Sequence, residues 1–320
     1  MALVCPTCKR KLEILDDGGR RCMACEVEYP LMSGAIDFLL HPSDQVVTEM
    51  TGLAHENGID TSNGLGGVKA MMLPIETPAE LMDRSRTQPI QYYQQTISTY
   101  LEALARAQID SGLDVLEIGS ERTHHKLRMI RDLCSSAYAL NIFYHVPQDP
   151  ESLFVTRVLA DMSADIPFAN ESLDLVIVSA TLHHAPDLEG CLKEMHRVLR
   201  RGARAIVINE PVEGLLKRLG GGVEPDRNEH IQEDPIRWQE WTKAIAASGL
   251  RPDFFIPQWF VGRISHSSRL PEKTRFGGLA KAIKPILNVP SIGESVRLAV
   301  RVPGWRLLGL PLNAVLWKDP

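Results

Sequence analysis

The chain has 320 residues, 44 % of them apolar, and carries 35 Lys and Arg against 40 Asp and Glu, a formal net charge of −5. That length buries a full core with room for one large domain and one small one, and the mild acidity speaks against nucleic acid as the main ligand. The longest apolar runs, at 173–182 and 307–317, fall short of the roughly 20 residues a spanning helix needs. Cys5, Pro6, Cys8 and Lys9 stand where a signal peptide would place its apolar core, so a cytoplasmic protein is the expectation.

Six cysteines are too few for a disulfide scaffold in a chain of this size, and four of them crowd into positions 5 to 25. Cys5 and Cys8 form one CxxC pair and Cys22 and Cys25 a second, with thirteen residues between the pairs. This is the spacing of two knuckles facing one zinc ion. Pro6 stiffens the first knuckle, and Asp16-Asp17-Gly18-Gly19 turns the hairpin between them. Four thiolates leave no open position on the metal, so the zinc is expected to be structural. The competing reading, redox-active CxxC motifs, does not call for a second pair at this separation. Cys134 and Cys191 lie in apolar helical patterns and read as buried thiols.

Tyr29-Pro30 and the stretch from Gly34 to Leu40 follow as the expected closing strand of a ribbon occupying residues 1–42. Residues 43–88 are rich in Gly, Thr, Asn and Met with little periodicity, and read as a linker with room for one short helix. Ile90, Tyr93, Ile97, Tyr100, Leu101 and Leu104 then recur at helical spacing, which predicts an amphipathic helix of about 17 residues opening a domain over 89–320. Strands are expected at 115–118, 136–141, 155–159, 173–179, 203–209 and 254–256, with Leu312–Lys318 as the closing strand. Helices are expected at 124–134, from Leu188 to a stop at Gly202, and at 235–248 before Gly249. This alternation implies an α/β fold with a doubly wound, Rossmann-like sheet, whose ligands sit at the carboxyl ends of the strands near the switch point.

The stretch ADMSADIPFANESLDLVIVSATLHHAPDLEGCLKEMHRVLRRGARAIVINEP at 160–211 resembles, in order, spacing and composition, the class I S-adenosylmethionine-dependent methyltransferases that act on small molecules. The likeness extends over about residues 110–260. A four-cysteine zinc ribbon ahead of such a domain is also a recurring family arrangement, including among some methyltransferases of ribosomal RNA. The resemblance implies S-adenosylmethionine as cofactor. It implies that Glu117 orders the loop at Gly119 and Ser120, and that Asn141 occupies the ribose-binding position. Asp161 would face the adenine amine with Met162 beside the ring, and Ser179 and Ala180 would end the strand over which the cofactor lies. The sequence departs from the family pattern in two places. Glu121 and Thr123 stand where glycines are expected, with Arg122 able to offset the charge of Glu121, and Asn141 stands where a carboxylate is expected. An amide still bonds to a hydroxyl, without the charge-assisted part of the interaction.

His183 and His184 follow the fourth strand, where one of them serves as general base or both cap a turn. His230, in NEHI, matches a recurrent substrate-side position of the family, and His124 and His125 begin a helix beside the altered loop. The segment 261–310 carries nine Lys and Arg against Glu272 and Glu294, a net charge of +7, so the rest of the chain sums to −12. It reads as a basic insertion that grips a phosphate-bearing or lipid-linked acceptor, rests on an anionic membrane surface or a protein partner, or simply forms a solvated lid. The leading expectation is methyl transfer to an oxygen or nitrogen of a small or lipid-linked acceptor, in the cytoplasm or at the periphery of a membrane. The alternative is a methyltransferase-fold pseudoenzyme acting as a binding or scaffold protein. An RNA methyltransferase ranks third, because Lys9, Arg10, Lys11, Arg20 and Arg21 make only a modest basic patch.

Overall fold

The cysteine-rich segment folds as a three-stranded antiparallel sheet of β1 (Glu13–Ile14), β2 (Arg20–Cys22) and β3 (Val27–Tyr29). This is seen in a computed structural model that describes residues 2–32, 34–56, 90–120, 124–142, 153–163, 166–213, 235–259 and 310–320. The first hairpin turns at the expected residues: Gly19 N–H donates to Asp17 Oδ1 at 2.9 Å, and Gly18 takes a left-handed φ of 87° that favours glycine. The elements that follow are β4 (Leu31–Met32), β5 (Ala35–Asp37), α1 (Asp44–Glu56), α2 (Ile90–Ala107), β6 (Leu113–Ile118), α3 (His125–Met129), β7 (Cys134–Asn141), β8 (Val155–Leu159) and β9 (Leu173–Ser179). The chain continues through α4 (Leu188–Val198), β10 (Leu199–Glu210), β11 (Val212–Glu213), β12 (Ile236–Arg237), α5 (Trp238–Ser248), β13 (Arg251–Phe254) and β14 (Leu312–Trp317).

Nine strands form one sheet in the order β13-β14-β10-β9-β6-β7-β8-β5-β4. The six strands from β10 to β5 in that order run parallel, whereas β14 is antiparallel to β10 and β13, and β4 to β5. Chain order reverses at β6, which has β7 on one side and β9 on the other, so the switch point opens at the carboxyl ends of these three strands. The central strands are buried on both faces. Leu116, Val176 and Val178 join one core layer with α4, α5 and the ribbon residues Cys5, Cys22 and Tyr29. Val115, Leu175 and Ile177 join the opposite layer with Val46 and Met50 of α1 and Tyr100 and Ala103 of α2. Two-sided burial is why β9 reads as the near-continuous apolar run LDLVIVS.

Four local expectations need correction. The stretch Ala35–Asp37 does not close the ribbon: β3 does, by pairing with β2, and β5 instead pairs in parallel with β8 at Ala35↔Arg157, Ile36↔Val158 and Asp37↔Leu159. Three consecutive buried residues there find their partners on the large sheet. Gly202 does not stop a helix. α4 ends at Val198, Leu199 is already extended, and Gly202, at φ 73°, sits inside β10 where the register shifts between Leu199↔Leu173 and Arg204↔Leu175. The helix expected at 124–134 is cut to α3 and a 3-10 turn at Arg131–Leu133, because Ile130 leaves helical geometry at φ −114° and ψ 16°. Cys134 accordingly opens a strand instead of lying in a helix, and its thiol donates to Ile130 O at 3.3 Å.

Candidate functional site

At the carboxyl end of β6 the chain turns sharply. Gly119 takes φ 68°, its N–H donates to Leu140 O at 2.9 Å, and a Cβ placed on it would lie 2.1 Å from Thr181 Oγ1. Only glycine fits this position, because the side chain from the end of β9 fills the space a Cβ would need. The family signature of a glycine after the first strand is therefore explained here by a contact between the ends of β6 and β9. Glu121 and Thr123, which stand where the resemblance expects glycines, lie outside the described residues together with Arg122.

Glu117 is buried and both of its carboxylate oxygens are engaged. Ser120 Oγ donates to Oε2 at 2.9 Å, and Lys126 Nζ donates to Oε1 at 3.3 Å. Ser120 Oγ lies 2.6 Å from His124 Nδ1, and Arg157 Nε–H donates to His124 Nε2 at 3.3 Å. Because Nε2 accepts, Nδ1 carries the proton and donates to Ser120, a tautomer assigned from the network. His124 is thus a buried structural member that links β8 to the loop, and it holds φ 47° to do so. His125 is half-buried at the start of α3. Asn141, at the end of β7, donates from Nδ2 to Ser120 O at 3.0 Å and accepts Ile142 N–H on Oδ1 at 2.7 Å. Its amide fastens the loop, and one Nδ2 proton is left over by the valence of that group.

Asp161 and Met162 follow β8, side by side with Asn141, whose carbonyl accepts Ala160 N–H at 3.1 Å. Asp161 Oδ1 accepts Ser163 N–H at 2.8 Å, and burial pushes its carboxyl above the usual carboxylate range. Ser179 ends β9 and its carbonyl accepts Thr181 Oγ1–H at 2.9 Å. Glu117, Gly119, Ser120, Asn141, Asp161, Met162 and Ser179 therefore occupy the carboxyl ends of β6, β7, β8 and β9, around the switch point.

Thr181 to His184 form a tight turn after β9, held by a residue that sequence reasoning missed. Glu210, wholly buried at the end of β10, accepts Thr181 N–H at 2.8 Å and Leu182 N–H at 3.1 Å on Oε1. Its Oε2 accepts His183 N–H at 3.2 Å and His183 Nδ1–H at 3.0 Å. This bond fixes the His183 ring with Nε2 as the proton acceptor. The His184 ring packs on it at 4.0 Å between centroids. The available signal was a lone acidic residue ending an apolar strand, since a carboxylate is rarely buried unpaired.

A second missed residue comes from the segment read as a linker. α1 buries Val46, Met50 and Ala54, spaced four apart, and this turns Glu49 toward the site. Glu49 Oε1 lies 3.6 Å from His184 Nδ1. Burial raises the Glu49 carboxyl to about 7, with the charge of His183 opposing and that of Asp161 reinforcing the shift. Burial, and then the neighbouring His183, lowers His184 to about 4. Near neutrality His184 is the neutral partner, and Glu49 titrates in the range where proton transfer is most useful. His230 and the basic segment 261–310, apart from Leu310, lie outside the described residues.

The four cysteines form a separate centre. All four Sγ atoms lie within 4.8 Å of one another, with Cys5 and Cys22 buried and Cys8 and Cys25 half-exposed. The residue after each CxxC pair, Lys9 and Glu26, holds a left-handed φ of 57° and 56°, so the two knuckles share one backbone turn. This donor set is four soft thiol ligands converging on one point, which fits a tetrahedral zinc ion.

The parallel sheet with its antiparallel β14 between β10 and β13, the chain reversal at β6 and the loop at Gly119 define an α/β methyltransferase fold. Residues 116–207 match the family described as a methyltransferase domain. Demethylmenaquinone methyltransferase of Alkalihalophilus pseudofirmus is 33 % identical over 57 residues, 17 % of this chain and 24 % of that protein. The likeness thus spans about a quarter of the curated relative. Among solved structures, geranyl diphosphate C-methyltransferase from Streptomyces coelicolor A3(2), in complex with Mg2+, geranyl diphosphate and S-adenosyl-L-homocysteine, is similar at 16 % identity and a TM-score of 0.44, over 77 % of this chain and 85 % of that one. A chain from the complex of the Haloferax volcanii Trm112 methyltransferase activator with a methyltransferase is similar at 18 % identity and a TM-score of 0.44, over 70 % and 90 %.

Proposed function

We propose that the protein transfers the methyl group of S-adenosylmethionine to an oxygen or nitrogen of a small or lipid-linked acceptor. The observation that carries this reading is the match of residues 116–207 to a methyltransferase domain, a span that runs from the β6 loop through Asp161 and Met162 to the histidine turn. The donor set fits the cofactor best at its adenine end. There Asp161 offers a carboxylate to the amine and Met162 an apolar face to the ring. Asn141 offers its remaining N–H to the ribose, and the backbone at Gly119 and Ser120 serves the amino-acid end. When bound, the cofactor supplies an electrophilic sulfonium methyl. The protein supplies proximity and orientation, and holds His184 and Glu49 where an acceptor proton can be taken up. His183, oriented by Glu210, packs its ring on His184 as the alternative base, and His230 is retained as a substrate-side residue.

Zinc at Cys5, Cys8, Cys22 and Cys25 is structural in this proposal, because four thiolates saturate it. The basic segment 261–310 is assigned to the acceptor or to an anionic surface that presents it, with a protein partner as the alternative. Among the described residues no helix is long and apolar enough to cross a membrane.

One observation favours a second reading, a methyltransferase-fold binding protein. Glu117 is committed to Lys126 and Ser120, and Asn141 to the loop backbone, so two polar groups of the site are already engaged. Calorimetry with S-adenosylmethionine separates the two. Saturable one-to-one binding supports the transferase, whereas no heat at millimolar cofactor leaves the binding protein.

A further inference from the structure

The segment that carries Asp161 and Met162 is held from both sides by chain that flanks the cysteine ribbon: residues 2–4 ahead of it, and β5 with Phe38 after it. On one side the N-terminal residues make an antiparallel bridge, Leu3↔Phe168. Val4 N–H donates to Pro167 O at 3.0 Å, and Ala169 N–H donates to Ala2 O at 2.8 Å. On the other side β5 pairs with β8, and Phe38 N–H donates to Leu159 O at 2.8 Å, two residues before Asp161. Both flanking pieces are tied to the metal centre. Val4 is followed by Cys5, whose N–H donates to Arg10 O at 2.9 Å within the first knuckle. Tyr29 lies with its hydroxyl 3.3 Å from Cys5 Sγ, and its ring packs on Phe38 at 4.6 Å.

Helix α4 also anchors this loop. Arg197 of α4 donates to Phe168 O at 2.7 Å and to Ile166 O at 2.8 Å. Between 166 and 169 the backbone groups are thus divided: the carbonyls of Ile166 and Phe168 go to α4, and the carbonyl of Pro167 and the N–H of Ala169 go to the residues ahead of the ribbon. Buried backbone groups must be paired, so a ribbon that comes apart leaves two of them without partners.

We propose that the four-cysteine centre is a positioning clamp for the cofactor loop: a metal ion bound there fixes residues 2–5, Tyr29 and 35–38 against 157–159 and 166–169, and so sets the affinity of Asp161 and Met162 for the adenosyl group. This deepens the methyl-transfer reading and rests on it for the identity of the ligand. Val4 acts here as a positioning residue, through Pro167.

The test compares three forms of the full chain: metal-loaded, chelator-stripped and Val4→Pro. Val4→Pro removes one N–H from the clamp and leaves all four cysteines in place. Each form is assayed for zinc content, for affinity toward S-adenosylhomocysteine by calorimetry, and for amide exchange. Stripping is expected to weaken binding by about tenfold or more, and Val4→Pro by about fivefold with its zinc retained, the size of one lost buried hydrogen bond. Exchange should accelerate at 155–169 and stay unchanged at 203–209 of β10. Equal affinity and equal exchange in all three forms would overturn the clamp. If the metal-loaded chain does not bind S-adenosylhomocysteine at all, the methyl-transfer reading fails, and exchange at 155–169 still decides the clamp. If Val4→Pro does not fold, the stripped form of the unmodified chain decides alone.

Discussion

Lys126 Nζ lies 3.3 Å from Glu117 Oε1, with the two side chains 1 % and 2 % exposed. A buried pair of this kind is held by its geometry, and removing one partner strands the other charge in a low-dielectric interior. Lys126→Met should therefore destabilise the protein by about 3–5 kcal/mol in chemical denaturation. Adding Glu117→Gln should recover a large part of that loss. Equal stability of Lys126→Met and the parent chain would mean that the pair is not formed.

Gly119→Ala should be among the most disruptive single-methyl changes in the chain. Its Cβ would meet Thr181 Oγ1 at 2.1 Å and Thr181 Cγ2 at 2.3 Å, and φ 68° adds about 1–2 kcal/mol of left-handed strain. Thr181→Ala in the same chain removes those two atoms and should restore part of the melting temperature. No rescue would place the strain in the left-handed backbone and in the remaining contact with the Cβ of residue 181, 2.7 Å away.

Glu49 makes stability depend on pH in a defined direction. Its carboxyl is raised in the folded state to about 7 from an ordinary 4.5, so the folded chain holds the proton more tightly. The stabilising contribution is complete below the unfolded value and is lost as pH rises through the folded one. The loss between those limits is about 3 kcal/mol at most, because the side chain is partly solvated. His184, lowered to about 4, works the other way and loses its contribution as pH falls through that value. Melting temperatures of the parent chain and Glu49→Gln should therefore diverge between pH 4.5 and 7, with the variant gaining, and run parallel above. A constant offset across the range would show that Glu49 does not titrate with folding.

Much of the sheet was legible because its central strands are short apolar runs bounded by turns. β8 and β9 are found at the expected residues, since burial on both faces leaves no ambiguity of register. What the sequence hid was pairing at long range. Ala35–Asp37 is apolar enough to be a strand, but nothing local says that its partner is β8, over a hundred positions away. Gly202 carries the same left-handed φ whether it caps a helix or bulges a strand, and only the pairing of β10 with β9 decides. Nothing in the sequence marks Lys126, Glu210 and Glu49 as inward-facing charges, and the fold turns each inward against a partner. The cysteine cluster was the most legible feature, because ligand spacing along the chain already fixes which side chains converge.

Zinc removal should be a stability event as well as a change at the cofactor loop. The purified protein should hold about one equivalent of zinc, and chelation should lower its melting temperature by about 10 °C, the linkage expected for a tightly bound structural ion. Cys8→Ser should show the same loss without chelator. An unchanged melting temperature after complete stripping would make the cluster incidental to the fold.

The proposed methyl transfer requires that the carboxyl ends of β6, β7 and β8 hold the adenosyl cofactor. A crystal structure of the protein with S-adenosylhomocysteine tests this directly. The predicted result places the adenine against Asp161 and Met162, the ribose beside Asn141 and the amino-acid end at the Gly119–Ser120 backbone. Crystals that stay empty at saturating ligand, or that bind it elsewhere, would contradict the proposed function.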